Sequence, residues 1–140
     1  MRAMRYAIEG PPEYLDSLES CNGDFIRDNA MLMTVIITDE ADGSDSDNLH
    51  HSPEAWFEAV VDAKGFESNA VMLSVINGVT PECPVTDRAF DGSQIAEFTQ
   101  MFTHGFVGGI CQPDYAAIFD RAVDEVDIAC DEWTERIVPG

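Results

Sequence analysis

Lysine is nearly absent from this chain: Lys64 is the only one, beside six arginines. Against 27 Asp plus Glu, these few cations leave a formal charge of −20 over 140 residues. A surface so acidic repels phosphate backbones, which excludes direct nucleic-acid binding. Anionic membranes are disfavoured for the same reason. Long apolar runs are missing too. The longest, Ala30-Met31-Leu32-Met33-Thr34-Val35-Ile36-Ile37, falls far short of the ~20 residues a bilayer-spanning helix needs. Met1-Arg2-Ala3-Met4-Arg5-Tyr6 has charge but no apolar stretch after it, so it does not read as a signal peptide. What remains open as partners are cations, calcium among them, and basic proteins. Most of the acid reads as a solvated shell, of the kind that keeps salt-adapted proteins hydrated.

The chain does have the material for a core. Hydrophobic residues make up 45% of it, with 8 Phe and 2 Trp, and its length suits one domain. Disorder is therefore not expected for most of it, despite the charge.

The four cysteines, Cys21, Cys83, Cys111 and Cys130, contain no C-x-x-C, so neither a zinc ribbon nor a thioredoxin motif is present. Residues 113–133 read as one helix. Along it Cys111 and Cys130 would stand about 25 Å apart, beyond the ~7 Å between Cα atoms that a disulfide tolerates. Cys111 is then left with Cys83 or Cys21. Cys83 is preferred, because both would lie in loops ahead of the last helices. Four reduced thiols are the alternative.

Helix and strand alternate along the chain. Residues 2–8 suit a helix end stopped by Gly10-Pro11-Pro12, and residues 13–18 suit a short helical turn. The apolar, β-branched stretch 31–38 does not alternate and predicts a central strand buried on both faces. Ser52-Pro53-Glu54 is a strong helix start, and Gly65 a stop. Between them Ala55, Trp56, Ala59, Val60 and Ala63 recur at helical spacing. Residues 69–76 predict a second buried strand. Ser93 is expected to cap a helix whose inner face is Ile95, Phe98, Met101 and Phe102. Residues 105–110 suit a short edge strand. The last helix, 114–133, is expected to turn Tyr115, Ile118, Phe119, Ala122, Val123, Val126 and Cys130 inward, with Asp114 at its cap. This order predicts a parallel sheet in a three-layer α/β/α arrangement, with about three strands where five or six are usual.

The loop 39–47 leaves the carboxyl end of the first strand with five acids in nine positions. Ligands of open parallel sheets bind at that end. Asp39, Glu40 and Asp42 offer hard oxygens suited to Ca²⁺ or Mg²⁺. The loop does not follow the EF-hand template, since Asp47 stands where glycine is needed. Asp39-Glu40-Ala41-Asp42 spells a helicase motif, but no phosphate-cradling G-x-x-x-x-G-K-[ST] accompanies it. Catalytic patterns are weak elsewhere. His50-His51 suit a polar surface, and His104 a contact with a helix carboxyl end. Cys111 has no evident histidine partner, and no G-x-S-x-G is present. The Phe98, Met101, Phe102 and Phe106 cluster reads as core.

Thr34-Val35-Ile36-Ile37-Thr38-Asp39-Glu40-Ala41-Asp42 resembles the fourth strand of a von Willebrand factor A-type domain. More narrowly, it resembles a degenerate A-type domain found in secreted bacterial proteins. Gly23-Asp24-Phe25-Ile26-Arg27-Asp28-Asn29-Ala30 leads into that strand, and Trp56 sits in the next helix. Asn69-Ala70-Val71, Cys83-Pro84, Gly109-Ile110-Cys111-Gln112-Pro113-Asp114-Tyr115 and Ala129-Cys130-Asp131 follow in order. The resemblance covers roughly residues 20–133 and rests on order and spacing. It implies a Rossmann-like fold, an extracytoplasmic or cell-surface location, and protein recognition assisted by a divalent cation, with Asp39 at the position of one ligand. The family's D-x-S-x-S after its first strand has no counterpart, so the resemblance implies a partial domain, the carboxy-terminal portion. Gly43 stands where members often carry a cysteine.

Three readings follow. The first is a non-catalytic binding or adhesion module with a protein partner. The second is a small metal-dependent hydrolase using the 39–47 loop with a histidine. The third is a truncated fragment without independent function. A sheet lacking strands would also expose an edge open to self-association.

Overall fold

The computed structural model describes residues 1–9, 26–27, 29–40, 52–78 and 91–137. The expected turn at 13–18, and the expectations for Cys21, Asp42, His50, His51 and Cys83, lie outside the described residues. Four helices and three strands are described: α1 (Arg2–Glu9), β1 (Leu32–Thr38), α2 (Pro53–Lys64), β2 (Ala70–Ile76), α3 (Ser93–Gln100), β3 (His104–Gly109) and α4 (Ala116–Ile137), with a 3₁₀ turn at Glu67–Asn69. The strands form one sheet in the order β1-β2-β3. Both pairings are parallel, with Val35 opposite Leu73 and Leu73 opposite Phe106. This is the small Rossmann-like α/β fold expected from the alternation.

Local chemistry sets the helix ends. Ser52 caps α2, its hydroxyl accepting from the Ala55 N–H at 3.2 Å. Gly65 ends α2 in the left-handed region, at φ 78°, with its N–H donating to the Val61 carbonyl. A side chain is strained there, which is why glycine suits the position. The cap of α3 differs from expectation. Ser93 is its first residue, and the Ser93 N–H is taken by the Asp91 carboxylate at 2.9 Å. Asp114 plays the same part for α4, accepting from the Ala116 N–H at 2.9 Å.

β2 is the true centre: all seven of its residues are buried. Its even-numbered residues Ala70, Met72 and Ile76 join Trp56, Val60, Ile95, Phe98 and Phe102 in the main core, flanked by Met4 and Ile8 of α1. Trp56 meets Phe98 edge-on at 5.9 Å between centroids, and Phe98 meets Phe102 at 5.3 Å, the geometry aromatic quadrupoles favour. Ser74 points into the same layer and shares its hydroxyl with Thr99 of α3, which in turn donates to the Ile95 carbonyl. The close fit of α3 against β3 depends on Gly105, where a Cβ would lie 2.0 Å from the Thr99 carbonyl oxygen. On the opposite side Leu73 and Val75 pack on Ile118 and Ala122 of α4. Helices α1, α2 and α3 thus share one face of the sheet, and among the described residues α4 serves the other.

Two expectations are corrected by this asymmetry. Among the described strands β1 lies at the edge and not at the centre, and its burial alternates. Met33, Val35 and Ile37 are 50%, 44% and 58% exposed, because α4 lies over β2 and β3 and leaves their row uncovered. The inner face of α4 is narrower than its apolar residues suggest. Ile118, Ala122 and Ala129 are buried, but Phe119 and Val123 are 42% and 58% exposed, and Tyr115 and Cys130 are also exposed.

Phe98→Ala removes the shared ring of the aromatic stack, and urea denaturation is expected to show a loss of about 3–5 kcal/mol. Val35→Ala, on the exposed row, is expected to stay within about 0.5 kcal/mol of the parent.

Candidate functional site

At the carboxyl ends of the strands, Asp39 and Glu40 follow β1 directly and both are exposed. The Glu40 N–H donates to the Thr38 hydroxyl at 3.1 Å, closing a tight local turn. Of the expected cation ligands, Asp42 lies outside the described residues. Among the described residues no group of three His, Cys, Asp or Glu is placed to hold a metal ion.

The residue that organises this edge is Asn77, immediately after β2. It is buried, and its amide donates to the Asp39 carbonyl at 2.6 Å. Its amide oxygen faces the Cys111 sulfur at 3.9 Å. One side chain therefore links the segments leaving all three strands. Nothing in the sequence singled it out, since an asparagine after an apolar strand reads as an ordinary turn residue. Cys111 is disulfide-bonded, and Cys130 is an exposed thiol. Cys83, the preferred partner, lies outside the described residues.

His104 is also placed differently from expectation. It is not at a helix end but opens β3, only 2% exposed. Nδ1 lies 3.8 Å from Glu125 and Nε2 3.4 Å from Glu132, both on α4. These contacts, with Arg121 stacked 4.1 Å above the Phe106 ring, bring one flank of α4 over β3. At 100° per residue the other flank carries Phe119, Val123, Val126 and Cys130. The Cys130 sulfur lies 3.9 Å from the Met31 sulfur, just before β1, so this flank faces β1. Register places Met33, Val35 and Ile37 on that same side of the sheet, level with Val71, Leu73 and Val75. The result is an apolar trough, floored by β1 and walled by α4. A cavity of about 230 Å³ adjoins it at the β1 edge, between Met33 and Val35 and the α1 residues Met4, Ala7 and Ile8.

No family model, curated protein or solved structure matches the chain. No helix among the described residues is long and apolar enough to cross a membrane.

Asn77→Ala is expected to destabilise the fold by about 1–3 kcal/mol. Asn77→Asp should cost more, since it turns an acceptor toward the Asp39 carbonyl. Urea midpoints of the two variants against the parent measure both.

Proposed function

We propose that this chain is a non-catalytic protein-binding module whose recognition surface is the uncovered apolar face of β1 together with the neighbouring flank of α4. The observation that carries this reading is the exposure of Met33, Val35 and Ile37 in one row, with Phe119 and Val123 exposed on the flank of α4 turned toward β1. Five large apolar side chains set together at the surface of a chain of charge −20 mark a place that excludes water when occupied. The A-type resemblance supports the same class of function, and the parallel, adjacent pairing of β1 and β2 is the arrangement that resemblance requires.

The test begins with binders selected from a displayed peptide library on the immobilised chain. Amide hydrogen exchange of the complexes is expected to show new protection in β1 and across residues 119–126. Protection concentrated instead at Asp39, Asn77 and Cys111 would move the binding surface to the carboxyl edge and overturn the proposal.

A further inference from the structure

The uncovered face has a shape and a charge that select its occupant, an inference that rests on the binding surface just described. Met33, Val35 and Ile37 project from the face of the sheet and not from its edge, as their register with Val71, Leu73 and Val75 requires. A strand added beside β1 would extend the sheet yet leave those three side chains bare from above. A helix laid on the face covers them, as α4 covers Leu73 and Val75. The lengths agree. Met33 to Ile37 spans about 13 Å at ~3.3 Å per residue. Anchors at i, i+4 and i+7 of a helix span about 10.5 Å.

Charge then restricts the class further. Asp120, Asp124 and Asp127 lie on the exposed side of α4, next in helical phase to the Phe119–Val123 wall, and Asp39 and Glu40 stand exposed at one end of the floor. An apolar floor between acidic borders, on a chain of net charge −20, attracts a cationic ligand and repels a second copy of itself. We infer that the occupant is an amphipathic helix of a partner protein, apolar on one face and rich in Lys or Arg on the other.

Three 18-residue peptides test this by calorimetric titration into the full chain. One has Leu and Lys at helical spacing, the second the same composition in strict alternation, and the third Leu and Glu at helical spacing. The helical Leu–Lys peptide is expected to bind best, and more weakly as salt rises. The double variant Val35→Ser/Val123→Ser is expected to weaken it about tenfold, with an unchanged urea midpoint showing that the fold is intact. Equal or tighter binding of the alternating peptide would overturn the helix and assign the surface to an added strand. A concentration-dependent dimer abolished by the double variant would assign it to a second copy, and the inference would again fail. A dimer lost in the double variant would leave the binding surface itself standing, whereas an added strand, which leaves the three side chains bare, would move it to the edge of β1. Helical-peptide binding that is indifferent to the double variant, or no binding by any peptide, would sink the inference, and the former would remove the surface as well.

Discussion

The complete burial of β2 is the constraint on which the rest of the molecule depends. A strand with no exposed residue needs a strand on each edge and a helix layer on each face. Parallel pairing then requires each connection to cross the sheet, which α2 and α3 do. Both crossovers pack on the same face as α1, so the Trp56–Phe98–Phe102 stack accumulates there. The opposite face is left to α4. A helix about 10 Å across covers roughly two strands spaced ~4.8 Å apart. With Arg121 and the two glutamates holding α4 toward β3, β1 is the strand that no described helix covers on this face.

This distribution separates two places that the sequence alone merges into one. The acidic residues draw attention to the carboxyl edge, where ligands of open sheets bind. The structure puts a structural link there, Asn77 joining the Asp39 and Cys111 segments, with exposed carboxylates outside it. The apolar surface lies elsewhere, on the face. An exposed carboxylate is already well solvated and gains little by finding a partner. Exposed Met33, Val35 and Ile37 gain from every square ångström removed from water. The energetic incentive for association therefore lies with the row on β1, and the acid around it decides which partners can approach.

Most of the architecture was legible in the sequence because its signals are local. Ser52-Pro53 and Gly65 bound α2 through capping and backbone conformation, which neighbouring residues decide. The apolar runs at 31–38 and 69–76 form strands, and Ile95 and Phe98 form a helix face, whereas Met101 and Phe102, expected on the same face, lie beyond the end of α3 at Gln100, with Phe102 still in the core. The misreadings share one cause. Met31 to Ile37 carries the composition of a doubly buried strand, and Phe119 and Val123 extend the stripe of a buried helix face, yet burial depends on what stands opposite. His104 reads as a helix-end contact because its actual neighbours, Glu125 and Glu132, lie more than twenty residues away. Asn77 escaped because its partner Asp39 lies thirty-eight residues before it.

The sequence by itself determined the order of helices and strands, their approximate ends, the parallel sheet that such an order entails, and a net charge that restricts the partners. These follow from hydrophobic periodicity, capping and composition, which act over a few residues or over the chain as a whole. The tertiary structure decided which strand lies at the centre, which apolar residues meet a neighbour and which meet solvent, and which side chain joins the strand ends. Those outcomes depend on where a single helix comes to rest on a sheet three strands wide, and packing across long sequence separations sets that position.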